Sequence, residues 1–203
     1  MGLGHAVLAA LLEGDASGYE LAKRFDVSVA NFWHAVPQQV YAELPRLERA
    51  GFVEGRQVVQ EKRPNKRVYR LTREGRGELA RFIAEPARPT SIKDELLVKV
   101  YSADVGDLAR AIEALEDRAA LAAAKLRSYD DLLEMMLGSR NEKAFLRGAA
   151  RLGPYLTLAR GRAFEKENAE WCRWAAGVLR SRLAARGRRP GADDGRRRAG
   201  RTS

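Results

Sequence analysis

Between Leu108 and Met136 the apolar positions are Leu108, Ile112, Leu115, Ala119, Ala122, Leu126, Tyr129, Leu133 and Met136, spaced alternately by four and three residues. Four heptads of that spacing place all these side chains on one stripe of one helix, the a/d seam of a coiled coil. So long a stripe must be covered by another helix, from the same chain or from a second copy. Both are expected here, with Leu108, Ile112, Leu115, Leu126, Leu133 and Met136 as dimerisation residues. The neighbouring segments agree with a helical second half. A helix is expected over residues 91–102, and Asp104 is placed as the cap of the seam helix, which should run to about residue 137. Gly138-Ser139-Arg140-Asn141 breaks it. Helix then resumes, is interrupted near Gly153-Pro154 and continues to about residue 185, with Trp171, Trp174, Ala175 and Val178 on one face.

The first half has a different grammar. Leu3, Val7, Leu8, Leu11 and Leu12 recur at helical spacing, and Gly14-Asp15 ends that helix. Ser17-Gly18-Tyr19-Glu20 matches a capping box, in which serine and glutamate satisfy each other's backbone amides. It should open a second helix, to about residue 27. Pro37 suits a first helical position, and the third helix should run over 37–50, with Val40, Leu44 and Leu47 inward and Gly51 as its C-terminal cap. Two extended runs follow, 52–61 and 67–71. The Lys62-Arg63-Pro64-Asn65-Lys66 turn between them makes a β-hairpin with a basic tip. Thr72 can cap a fourth helix, and Pro86 and Pro89 end the domain.

Three helices, a basic-tipped hairpin and a fourth helix within about 85 residues describe a winged helix-turn-helix. The fold expected is mainly α: a DNA-binding domain over 1–85 with a small β-hairpin wing, a helical dimerisation and effector domain over 86–185, and a basic, disordered tail over 186–203. With Val40, Leu44 and Leu47 inward, the opposite side of the third helix carries Gln38, Ala42, Pro45 and Arg49, flanked by Gln39, Arg46 and Tyr41. Gln can read adenine, Arg can read guanine, and Tyr can bond a phosphate. The expected DNA-binding set is Gln38, Gln39, Tyr41, Ala42 and Arg46 with the wing cations Lys62, Arg63, Lys66 and Arg67. Lys23 and Arg24 on the second helix are weaker candidate phosphate contacts.

Charge supports an anionic partner, but its distribution matters more than its sum of +10. Residues 1–85 carry 13 Lys/Arg against 11 Asp/Glu, whereas the last 18 carry 7 against 2. The folded DNA-binding region is thus nearly neutral. A competing reading, a non-specific architectural nucleic-acid binder, would rest on the Arg-rich tail.

Other classes lose support. No apolar run reaches the roughly 20 residues of a membrane span. The segment 3–12 lacks the basic flank and cleavage site of a signal peptide, so a cytoplasmic, nucleoid-associated protein is expected. One cysteine, Cys172, and two histidines, His5 and His34, give no disulfide framework or metal cluster. No nucleophile–base pair or phosphate-cradling glycine loop argues for an enzyme or a cofactor. Trp33, Trp171 and Trp174 can be read as an aromatic effector pocket or as ordinary core.

These motifs resemble the PadR family of bacterial transcription regulators. The resemblance is carried by LGHAVLAALLEGDASGYELAKRF, FWHAVPQQVYAELPRLERAGFVEG, RPNKRVYRLTREGRGEL and KDELLVKVYSA, which together span residues 3–103. It implies a homodimer that binds a palindromic operator, usually as a repressor and often released by a small effector. It also implies that Gln38, Gln39, Tyr41 and Ala42 face the groove and that Lys66 and Arg67 lie on the wing. Pro45 departs from the family pattern. It removes one helical hydrogen bond and leaves the register of Arg46 and Arg49 on DNA open.

Overall fold

Local sequence signals set several helix ends in the N-terminal region. A computed structural model of the chain describes residues 2–25, 33, 35–59, 65–87, 89 and 92–187. Helix α1 (Gly2–Ala10) passes into a 3-10 turn, Leu11–Glu13, which stops at Gly14 with φ +123°, a conformation L side chains rarely adopt. Strand β1 (Ala16–Ser17) leads directly into α2 (Gly18–Arg24). The capping box is complete: Ser17 N–H donates to Glu20 Oε2 at 2.7 Å, and Glu20 N–H donates to Ser17 Oγ at 3.3 Å.

Helix α3 (Pro37–Arg49) starts on proline and continues through Pro45. It closes in a Schellman turn, where Gly51 at φ +75° donates to the Glu48 carbonyl and Phe52 donates to that of Leu47. Strands β2 (Val53–Val58) and β3 (Lys66–Leu71) pair antiparallel, Val53 opposite Leu71 and Val58 opposite Lys66. β1 adds to the free edge of β3, with Ala16 opposite Tyr69, giving the order β1-β3-β2. Thr72 then caps α4 (Arg73–Ala84), its Oγ1 accepting from Gly75 N–H at 3.0 Å.

The core of this region gathers Val7 and Leu8 from α1, Leu11 from the 3-10 turn, Leu21 from α2 with Phe25 at its C-cap, and Val40, Leu44 and Leu47 from α3. Val53, Tyr69, Leu71 and Leu79 close it. The helical face assigned from sequence is the buried one. The expected wing residues Lys62 and Arg63 lie outside the described residues, as do His34 and residues 188–203.

The second half holds α5 (Glu95–Tyr101), a 3-10 turn at Ala103–Val105, α6 (Leu108–Leu137), α7 (Glu142–Gly148) and α8 (Gly153–Gly187). Two units emerge: residues 1–90 with 146–161, and 91–145 with 162–203. In the first, the Arg151 guanidinium reaches the Leu12 carbonyl at 2.9 Å.

In the second unit one sequence expectation is corrected. Asp107, not Asp104, caps α6, its Oδ1 accepting from Ala109 N–H at 2.8 Å. Asp104 lies in the preceding 3-10 turn and pairs with Arg182 of α8 at 2.8 Å. The seam also divides. Leu108, Ile112 and Leu115, expected at a dimer interface, are buried inside the chain. Leu96 of α5 and Cys172, Ala175 and Ala176 of α8 pack in the cluster of Ile112 and Leu115, while Leu179 packs on that of Leu108. Within the single chain the Leu108, Ile112 and Leu115 side chains are almost fully covered. Leu126, Leu133 and Met136 are only half-buried.

Polar contacts fix the helix pairing in this unit. Asp94 caps α5 through Leu96 N–H at 2.9 Å and takes a two-pronged contact from Arg118 of α6 at 2.9 and 3.2 Å. Arg118, with a smaller contribution from Leu96 N–H, holds the Asp94 carboxyl below its ordinary range. The buried Glu165 on α8 is met by Lys125 of α6 at 3.3 Å.

Candidate nucleic-acid interface

The exposed side of α3 follows from the buried one. With Val40, Leu44 and Leu47 inside, Gln38, Gln39, Tyr41, Ala42, Pro45, Arg46 and Arg49 all face solvent. Gln39 also serves the helix itself: its Oε1 accepts from Val36 N–H at 3.1 Å, in place of a side-chain N-cap. Arg46 rests on Glu43, one turn back, at 3.0 Å and stays largely exposed.

Beside α3 runs an open groove lined by Ser17 to Glu20 and Lys23 of the second helix and its cap, by Tyr41 and Leu44, and by Lys66, Arg67 and Tyr69 of β3. Tyr41 is held over the first turn of α2 because residue 18 is glycine. A methyl group added there would lie 3.0 Å from the Tyr41 ring. Lys23 Nζ lies 5.1 Å from the centre of the Tyr19 ring, and the Arg67 guanidinium 5.9 Å from that of Tyr69. Tyr69 and Leu71 are buried beneath the wing, as their alternation with Arg70 implies.

Two of the groove's three cations are paired with carboxylates. Lys66 Nζ lies 3.0 Å from Glu20 Oε1, and Arg67 Nη2 lies 2.6 Å from Glu48 Oε1. Glu20 is lowered from its ordinary 4.5 to about 2, chiefly by the Ser17 backbone N–H and then by Lys66. Arg67, with Gly55 N–H, likewise keeps Glu48 below the usual carboxylate range.

Because the folded value of Glu20 is depressed, its contribution to stability is complete above pH 4.5 and lost as pH falls through about 2. Its side chain is nearly half exposed, so solvent screens the effect. Glu20→Gln is expected to lower the thermal midpoint modestly at pH 7, and the gap from the parent should close between pH 4.5 and 2. A gap that does not change with pH would show that capping geometry, not charge, carries the effect.

The structure brings Tyr41, Lys23, Lys66 and Arg67 around one groove and puts Gln38, Ala42 and Arg46 on the adjoining helix face. Arg24 has other work: its guanidinium bonds the Ala10, Gly14 and Asp15 carbonyls at 3.3, 2.8 and 3.3 Å, tying down the end of α1 and the turn after it. Tyr19 and Glu48 escaped the sequence reading. Tyr19 was hidden within a motif that explained only its neighbours, and the partner of Glu48 lies 19 residues away. Among the three tryptophans, Trp33 overlies Gly2 in the first unit, where an added methyl would collide with its ring. In the second, Trp171 packs on the core and Trp174 is exposed.

Comparison with known proteins places these observations. Residues 7–81 match the transcriptional regulator PadR-like family, and residues 92–180 match the virulence activator alpha C-terminal family. The probable transcriptional regulator Rv1176c of Mycobacterium tuberculosis is 36% identical over 192 residues, covering 90% of this chain and 100% of that protein. The negative transcriptional regulator PadR of Bacillus subtilis is 29% identical over 170 residues, 83% of this chain and 92% of that one. Its crystal structure in complex with operator DNA has a TM-score of 0.72 at 26% identity, covering 88% of this chain and 99% of the other. The same protein in complex with p-coumaric acid gives 0.66 at 27% identity, covering 88% and 95%. The Vibrio cholerae virulence activator AphA gives 0.62 at 26%, covering 91% and 99%.

Proposed function

This chain belongs to the PadR-like family of DNA-binding transcriptional regulators, and on that premise we propose that it is a homodimeric repressor of a palindromic operator. The observation that carries the reading is the exposed start of α3. Gln38, Gln39, Tyr41 and Ala42 stand clear of the core face, next to a groove that holds Lys23, Lys66 and Arg67. In this reading α3 enters the major groove, Gln38, Gln39 and Ala42 meet base edges, and Tyr41, Arg46 and Lys23 meet phosphates. Lys66 and Arg67, with Lys62 and Arg63, flank the site from the wing.

Residues 1–85 are proposed as the DNA-binding region and 86–185 as the dimerisation and effector region. One winged helix reads few bases, whereas a two-fold pair doubles the site and requires a symmetric sequence. Repression, and release by a small aromatic or hydrophobic effector, draw support from the B. subtilis relative. That protein is a negative regulator and has been crystallised with p-coumaric acid.

Selection from random duplexes followed by footprinting tests the proposal. The expected result is a symmetric site with half-sites about one helical turn apart, still preferred after residues 186–203 are removed. Binding that shows no shared sequence, or that vanishes with the tail, would favour an architectural role instead.

A further inference from the structure

Lys66 and Arg67, at the root of the wing, are already paired within the domain. Lys66 is paired with Glu20 of α2 and Arg67 with Glu48 of α3, so both helices of the helix-turn-helix reach across to the wing. Each carboxylate is anchored by a second contact. Glu20 Oε2 accepts from Ser17 N–H and from Ser17 Oγ–H at 2.7 and 2.8 Å. Glu48 Oε1 also accepts from Gly55 N–H at 3.0 Å. The carboxylates are therefore fixed features of the domain surface, and the long cationic side chains lie down on them.

We infer that Glu20 and Glu48 are specificity-determining residues that suppress non-specific DNA binding by holding Lys66 and Arg67 in internal ion pairs. The inference rests on the DNA-binding reading above. Binding to arbitrary sequence is almost wholly electrostatic and grows with each phosphate a cation neutralises. Here a phosphate must share each cation with a carboxylate or displace it, and that carboxylate stands as a like charge beside the DNA backbone. On arbitrary DNA the domain can settle in any register, so a freed Arg67 would always find a phosphate. On a site fixed in register by α3, it gains one only if a phosphate happens to lie within reach. Masking the cations therefore costs non-specific complexes more than specific ones. It also explains how a region with 13 Lys/Arg against 11 Asp/Glu can suit a sequence-reading protein.

Glu48 is the residue to change, because Glu20 also caps α2. Glu48→Gln keeps an oxygen for Gly55 N–H and removes only the charge. Binding of the full-length chain is measured by fluorescence anisotropy across a salt series. The probes are a random-sequence duplex and the best duplex from selection, with thermal midpoints recorded for every variant. For the random duplex, Glu48→Gln is expected to tighten binding about three- to tenfold at low salt and to steepen the log–log salt dependence by about one. The selected duplex should gain less, so the specificity ratio falls. Combined with Arg67→Gln, the substitution should bring no gain, because there is no longer a masked cation to release.

A gain that persists in the Arg67→Gln background would reduce the effect to overall charge and overturn the inference. Weaker binding of Glu48→Gln to both duplexes would show that the pair props the wing in its working position, and would overturn it too. A parent protein that prefers no duplex over random DNA would instead remove the DNA-reading function itself, whatever the variants do.

Discussion

Replacing Gly75 with alanine is expected to cost about 3 kcal/mol and to lower the thermal midpoint by roughly 10 °C. The added methyl would fall 2.1 Å from the Phe52 carbonyl oxygen and 2.8 Å from Leu71 Cδ1. The oxygen cannot step aside. It accepts from Thr72 N–H at 3.1 Å and from Thr72 Oγ1–H at 3.0 Å, while Thr72 Oγ1 accepts from the Gly75 amide. Relief would require the first turn of α4 to lift away from the end of α3, breaking the cap and opening the core at Leu71 and Leu79. Gly77 is the control. Around it the nearest atom to an added methyl is Arg81 Nη1, at 4.0 Å. Gly77→Ala, in the interior of α4, should stabilise by about 0.5–1 kcal/mol. Thermal melts of the two variants decide the matter, and equal midpoints would contradict the packing described.

The second large effect is expected from Val98→Asp combined with Tyr101→Asp. These residues stand on one side of α5 with 65% and 93% of their surfaces exposed, and Leu97 and Val105 are exposed beside them. The single chain makes little use of these side chains, so the monomer should keep its fold and its midpoint. If they lie in the dimer interface, light scattering should show the mass halved. Affinity for the selected palindrome should then fall by about a hundredfold or more, since the second half-site no longer binds at the high effective concentration that tethering provides. A variant that stays dimeric would move the interface to the half-buried Leu126, Leu133 and Met136 on α6.

What could be read from the sequence was what neighbouring residues decide among themselves. The Ser17–Glu20 capping box, the Thr72 cap, the turn at Gly51 and the inward face of Val40, Leu44 and Leu47 all depend on contacts within a turn or two of helix. β1 was not readable, because two residues carry no periodicity and Ala16 becomes a strand only by meeting Tyr69. Glu20 was seen as a cap but not as the partner of Lys66, which lies 46 positions away. The seam shows the same limit. A spacing of four and three proves that α6 has an apolar side, but not which helix covers it, and for Leu108, Ile112 and Leu115 the cover comes from the same chain.

The bond from Thr72 N–H to the Phe52 carbonyl closes the base of the wing. The root of the hairpin stays in the core through Val53, Tyr69 and Leu71, while residues 59–65 only connect the paired ends Val58 and Lys66. Lengthening such a loop costs only about 0.6 kcal/mol per doubling, and the added residues pull on neither α3 nor α4. The reach of the wing and the reading face of α3 are thus separate quantities, and descendants of one ancestor can alter how far they stretch along a duplex without relearning which bases they read.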